Sequence, residues 1–341
     1  MQSIIANTVP NFLTMSLDIV QVHIEDTSIL VYKDLLTSVS PYFQKAFDGS
    51  FKEAQERSIT LEGVSEQTFR TFLHWVHVQS LQYDTSSAAL DFNALLTPDE
   101  ATKLGTSVNN NATAIEETNS GNVENDESDT KSEASSKDVA HGTLAFDEET
   151  FYTCCETADL FYANMIWTDN VDRFYLCMAK LFTFADKYSV PQLRDDILTA
   201  LVGQCWRWNL WPNHESDLVH VAYSNMPASS KFAKFLACSI ACVALTTSKG
   251  DAVVKMQSLR NLNPDLAFEV SLVYAGLAQK HKNYSISVDI SDILLSSCPY
   301  HDHSLISKEQ CRKRIADRPH IFTAILDACA KDAVAASMND N

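Results

Sequence analysis

One polar tract limits what this chain can fold into. From residue 84 to about 148 it is rich in Ser, Thr, Asn, Asp and Glu and offers few large apolar side chains. A run such as "VNNNATAIEETNSGNVENDESDTKSEASSKD" cannot bury enough apolar surface to offset the entropy of ordering it, so roughly 97–146 is expected to be disordered. A core must therefore come from the apolar stretches on either side. About half of the net charge of -18 lies in 97–149, and the remainder is only mildly acidic. Such a balance argues against a broad phosphate-binding surface. The N-terminus lacks a basic start and a long apolar run, and no stretch of about 18 apolar residues exists, so neither a secretory signal nor a membrane span is expected. Nine scattered cysteines, mostly in apolar segments, suit free thiols in a reducing compartment, cytoplasmic and/or nuclear.

The stretch before the tract alternates short strands and short helices. "LDIVQVHI" (17–24) and "TSILVY" (27–32) carry the β-branched alternation of strands around a turn at Glu25-Asp26. "KDLLTSVS" places Leu35, Leu36 and Val39 at helical spacing, and Ser40-Pro41 breaks it. Phe43 and Phe47, four apart, anchor a second helix, which Gly49 ends. Phe51 then sits in a charged loop, where it needs either the domain's own core or a partner. "RSITLEG" reads as a third strand. Ser65 is an N-cap for "EQTFRTFLHWVHVQ", with Phe69, Phe72, Leu73 and Val76 on one face. Beyond the tract the pattern is helical. Leu176, Ala179, Leu181, Phe184 and Tyr188 share a face, and Pro191 opens a helix carrying Leu193, Ile197 and Leu201.

This order, with "VYKDLLTSVSPYF" at 31–43, "FDGSFKEAQERSITLEG" at 47–63, "FRTFLHWVH" at 69–77 and "LFTFADKYSVPQLRDDIL" at 181–198, resembles a BTB (POZ) domain. The layout, with "CPYHDH" near the end, is similar to that of fungal BTB-domain proteins. The chain departs from the family pattern at Tyr32, where a His is usual, and at "VHVQS", which stands in place of the usual aromatic-Thr-Gly turn. The resemblance implies an α+β fold: a BTB/POZ domain, a small sheet with helical hairpins, followed by an all-helical C-terminal region. The expected organisation is an N-terminal tail (1–16), a BTB domain in two pieces (17–83 and 170–203), a mostly disordered acidic insertion (84–150) and a helical C-terminal region (204–341).

The resemblance also implies a protein-interaction adaptor or scaffold, not an enzyme. In dimeric members an Asp at the first strand and a basic residue before the second helix line a charged pocket at the dimer interface. Asp18 and Lys33 match them, and a local structural pair between the two is the alternative. Many BTB adaptors contact a cullin ubiquitin-ligase scaffold through a hydrophobic-x-Glu loop, which Phe51-Lys52-Glu53 fits. An exposed aromatic anchors a pocket and a carboxylate selects a basic partner. The other class of reading is a BTB-dimerising transcriptional or chromatin regulator. Its sequence support is the small basic cluster "KEQCRKR" (308–314), which reads either as a nuclear-localisation signal or as a solvated helix face.

One motif stands apart from the resemblance. "CPYHDHSLISKEQC" spaces Cys298, His301, His303 and Cys311 as C-x2-H-x-H-x7-C. Thiolate and imidazole are the ligands zinc prefers, and four close a tetrahedral site that is structural rather than catalytic. The spacing is not a standard finger spacing, and His-x-His converges on one point only across a turn. A surface loop with incidental histidines and a buried cysteine is the plain alternative. No phosphate-cradling glycine loop and no other cofactor motif is present.

Overall fold

The computed structural model describes residues 15–80, 169–208, 211–212, 216–227, 229–245, 249–280 and 297–339. The expected acidic insertion and N-terminal tail lie outside these residues, apart from 15 and 16.

Strands β1 (Ile19–Ile24) and β2 (Thr27–Tyr32) pair antiparallel, Ile19 opposite Tyr32 and Ile24 opposite Thr27. The two-residue turn between them holds Glu25 at a positive φ of 49°. Three short helices then carry the chain across: α1 (Lys33–Thr37), α2 (Pro41–Asp48) and α3 (Lys52–Glu56). This crossover lets β3 (Ser58–Thr60) return parallel to β1, with Val22 opposite Ile59, so the sheet order is β2-β1-β3. Val20, Val22 and Ile24 face inward, and their neighbours Ile19, Gln21 and His23 face outward, as a period of two requires.

Phe51 lies between α2 and α3, outside both helices, and what the sequence did not show is α3 itself. Phe51 is the N-cap of this one-turn helix, its carbonyl accepting from the backbone N–H groups of Ala54 and Gln55. Arg57, at φ 52°, ends that turn. Helix α4 (Glu66–Ser80) begins where expected: Ser65 Oγ accepts from Thr68 N at 3.2 Å.

After the undescribed tract come α5 (Asp169–Lys187) and α6 (Pro191–Trp208), then α7 (Ser216–Ser224), α8 (Lys231–Leu245), α9 (Lys249–Leu262) and α10 (Pro264–Lys280). A 3-10 turn, Cys298–Tyr300, precedes α11 (Lys308–Asp317) and α12 (Pro319–Asn339). Beyond the tract the described residues form helices joined by turns and irregular segments, with no strand among them. No helix among the described residues is long and apolar enough to cross a membrane.

Aromatic packing joins the stretches on the two sides of the tract. Phe43 stacks on Tyr188 with ring centroids 5.7 Å apart, and Phe72 meets Phe184 at 4.9 Å. Ser40 makes the join specific. Its hydroxyl accepts from Phe43 N to cap α2 and donates to the Tyr188 carbonyl at 2.6 Å, across 148 positions of sequence. Lys187 Nζ likewise donates to the Glu62 carbonyl at 2.6 Å. Helix α12 packs on α4, α5 and α6, burying Ile321, Phe322, Ile325, Leu326 and Cys329.

Candidate functional sites

Three groups of residues bear on function, and the first is the surface around α3. Phe51 is 58% exposed, so it does not fold back into the core. Its ring rests against Gly49: a Cβ added there would lie 3.0 Å from the ring and 2.4 Å from the Lys45 carbonyl oxygen. The absent side chain leaves room for the Lys45 carbonyl and the edge of the Phe51 ring. Glu53, two residues on, is half-buried. Tyr42, itself partly exposed, has its phenol pushed up by burial and then by the Glu53 carboxylate. An exposed aromatic, a tyrosine and a carboxylate thus share one small area, with the Lys52–Glu56 ion pair (3.5 Å) at its edge.

The second is the outer face of the β1–β2 hairpin. Asp18 and Lys33 meet through the backbone, Lys33 N donating to the Asp18 carbonyl at 2.8 Å. Their side chains go separate ways. The Lys33 ammonium pairs with Asp48 on α2 at 2.6 Å, and the Asp18 side chain is exposed. Beside them lie Leu17 (78% exposed), Leu30 (69% exposed), Ile19 and Tyr32, an apolar group on the solvent side of the sheet.

The third is the Cys/His segment, where the four sequence-nominated residues come together. Their ligand-type atoms all lie within 4.8 Å of one another. Cys298 sits on the 3-10 turn, and Cys311 is buried in the first turns of α11, whose start is fixed by a capping box between Ser307 and Gln310. His301 is buried, with Nδ1 3.3 Å from Cys311 Sγ and Nε2 3.0 Å from Thr199 Oγ1. His303 holds a φ of 49°, which supplies the turn that His-x-His needs. Both of its ring nitrogens are buried, with no hydrogen-bond partner. The Cys298 thiol and burial together push the Cys311 thiol up. Around the cluster, Asp195 Oδ1 accepts from Asp302 N at 3.0 Å, and Arg194 bridges Asp186 (2.6 Å) and Asp302 (2.8 Å). Tyr300 anchors the turn edge-on to Phe235 of α8, 5.4 Å between centroids.

Sequence reasoning passed over one neighbouring feature. Asp196, 2% exposed, accepts from Trp75 Nε1 (3.0 Å), Gln192 Nε2 (2.9 Å), and Arg314 through Nε (3.0 Å) and Nη2 (2.7 Å). Arg314 Nη2 also reaches Gln79 Oε1 at 2.9 Å. This arginine belongs to the basic cluster at 308–314. Arg312 and Lys313 face solvent there, whereas the partly buried Arg314 serves as counter-ion to the buried Asp196.

These surfaces suit contact with other proteins: exposed apolar groups on a small sheet and on a short helix, over a well-packed aromatic core. The fold is that of an interaction module. A family model for the BTB/POZ domain matches residues 16–97, and the chain carries a BTB/POZ domain, a protein-interaction module. No curated protein and no solved structure matches the chain.

Proposed function

We propose that the protein is a non-catalytic BTB adaptor or scaffold that docks a cullin-type ubiquitin-ligase scaffold through Phe51 and Glu53. In this reading the BTB domain comprises 17–83 and 170–203, and the helices beyond hold a client. The observation that carries it is the exposure of Phe51. A large aromatic ring left 58% in solvent, presented by a short helix and flanked by Tyr42 and Glu53, has the make-up of an interface hot spot. The carboxylate adds selection for a basic partner surface.

Self-association is the companion proposal. The apolar group Leu17, Ile19, Leu30 and Tyr32, with the exposed Asp18 carboxylate and Lys33 at its border, favours a second copy as occupant. A dimer without cullin binding would favour the alternative class, a transcriptional or chromatin regulator, and a nuclear location.

The test compares wild type with Phe51→Ala and Glu53→Ala in cullin pull-downs and in light scattering. The adaptor reading expects wild type to capture cullin and Phe51→Ala to lose it, with helix content and oligomeric state unchanged. Capture that survives Phe51→Ala removes the docking role, and a wild type that captures no cullin overturns the adaptor reading.

A further inference from the structure

We propose that Cys298, His301, His303 and Cys311 bind one zinc ion as a closed structural site, and that this ion clasps the C-terminal helices onto the rest of the core. Zinc at about 2.3 Å from sulfur and about 2.0–2.1 Å from nitrogen sets its four donors roughly 3.3–3.8 Å apart. Donor atoms already within 4.8 Å of one another need only small side-chain rotations to meet that spacing.

Two observations independent of the spacing point to a cation. The first is His303. Burying a polar group without a partner is costly, and this residue buries two ring nitrogens that have none. It does so from a left-handed backbone that a β-carbon-bearing residue enters at a cost. A metal bond to one of these nitrogens gives that nitrogen its partner and the left-handed turn its purpose. The second is the support of His301. With Nδ1 toward Cys311 and the metal, its Nε2–H points at Thr199 Oγ1 (3.0 Å), and the Thr199 hydroxyl donates to the Asp195 carbonyl (3.1 Å). A ligating histidine held by a hydrogen bond to its other nitrogen is the usual outer-shell arrangement of zinc sites. A Cys298–Cys311 disulfide would use the two thiols and leave both buried ring nitrogens of His303 without a partner.

The placement gives the ion its role. The turn holding Cys298 packs against α6 and, through Tyr300, against α8, while Cys311 belongs to α11. Helix α11 leads through Arg318 into α12, which covers α4, α5 and α6. The metal therefore links the layer beneath to the segment that closes over it. Four protein ligands leave no open coordination position, which makes the site structural rather than catalytic.

Full-length protein purified without chelator is analysed by elemental mass spectrometry, then treated with a zinc chelator and followed by thermal melting and hydrogen exchange. The expected result is about one zinc per chain. Chelation then lowers Tm and raises exchange in α11 and α12 more than in β1 and β2. Cobalt(II) added to the stripped protein gives the absorption of a tetrahedral thiolate site. His303→Asn, whose new side chain tolerates the left-handed backbone, keeps its helix content but loses more than about tenfold in zinc affinity, since even outer-shell partners cost that much. Protein isolated without zinc that gives no tetrahedral cobalt spectrum and melts identically with chelator overturns the proposal. So does a native Cys298–Cys311 disulfide, or a His303→Asn variant that binds zinc as wild type does.

Discussion

Removing Arg314 tests whether the N-terminal module and the C-terminal helices form one cooperative core. In Arg314→Met the Asp196 carboxylate keeps the Trp75 and Gln192 donors but loses its counter-ion and two charge-assisted hydrogen bonds while it stays 2% exposed. Breaking a buried pair from one side costs about 3–5 kcal/mol. The two surviving neutral donors place this variant near the lower end, about 3 kcal/mol. Asp196→Ala is harsher. It strands a guanidinium whose remaining partner in this network is Gln79, and it orphans the Trp75 indole N–H, which adds roughly 1–3 kcal/mol. Set against a typical domain stability of about 5–15 kcal/mol, that variant approaches unfolding, so Arg314→Met is the more tractable one. Replacing both partners by apolar residues, Asp196→Leu with Arg314→Met, removes the stranded charge and should cost less than Asp196→Ala alone. The assay is urea denaturation followed by far-UV circular dichroism on samples matched for zinc content. An Arg314→Met loss below about 1 kcal/mol, or a double variant no more stable than Asp196→Ala, would refute the reasoning.

Two further outcomes rest on local geometry. Gly49→Ala pushes a Cβ against the Lys45 carbonyl and the Phe51 ring, so it should destabilise by about 1–3 kcal/mol in the same denaturation assay, whereas Phe51→Ala, which removes an exposed ring, should change stability by less than about 0.5 kcal/mol. His74 on α4 is held below its ordinary value of 6.5 by burial and then by the Lys331 and His77 charges, with Asp327 opposing them. A base lowered by folding leaves the unfolded chain binding more protons just below pH 6.5, so this residue's contribution to stability is lost as pH falls through that value. Thermal melts from about pH 5.5 to about pH 7 should therefore show a shallower rise for His74→Gln than for wild type at equal zinc loading, and an unchanged slope would exclude His74 as its source.

Much of the fold was legible because its signals are local. Strand alternation, the Ser65 cap, the Ser40-Pro41 break and the helical spacing of Phe43 and Phe47 each need only a few residues to act, and the elements appear at those places. Helix α3 was missed because a single turn carries no periodicity. It is set by the Phe51 carbonyl and the left-handed Arg57, neither of which has a compositional mark. The Cys/His cluster was legible by residue type, but its convergence depends on the backbone at His303, a conformation that local sequence does not announce. Asp196 and Arg314 lie 118 positions apart, and an acid beside a second acid in "RDDIL" reads as solvated surface until the fold encloses it.

The buried polar contacts give the C-terminal helices a structural part in the core. A three-stranded sheet with two strands of six residues and one of three buries little by itself. Trp75 and Phe72, among the largest buried side chains of α4, face elements that arrive more than a hundred residues later. Apolar packing by α12 favours closure but tolerates sliding, because it is non-directional. The Ser40–Tyr188 and Trp75–Asp196–Arg314 contacts do not tolerate it: each has one geometry, and a shifted register would leave a buried donor or charge without a partner. Directional contacts thus fix where the later helices dock, and apolar burial supplies most of the driving force. The stretch matching the BTB/POZ family thus packs against later parts of the chain, while the solvent side of the hairpin and Phe51 beside α3 stay exposed among its described residues.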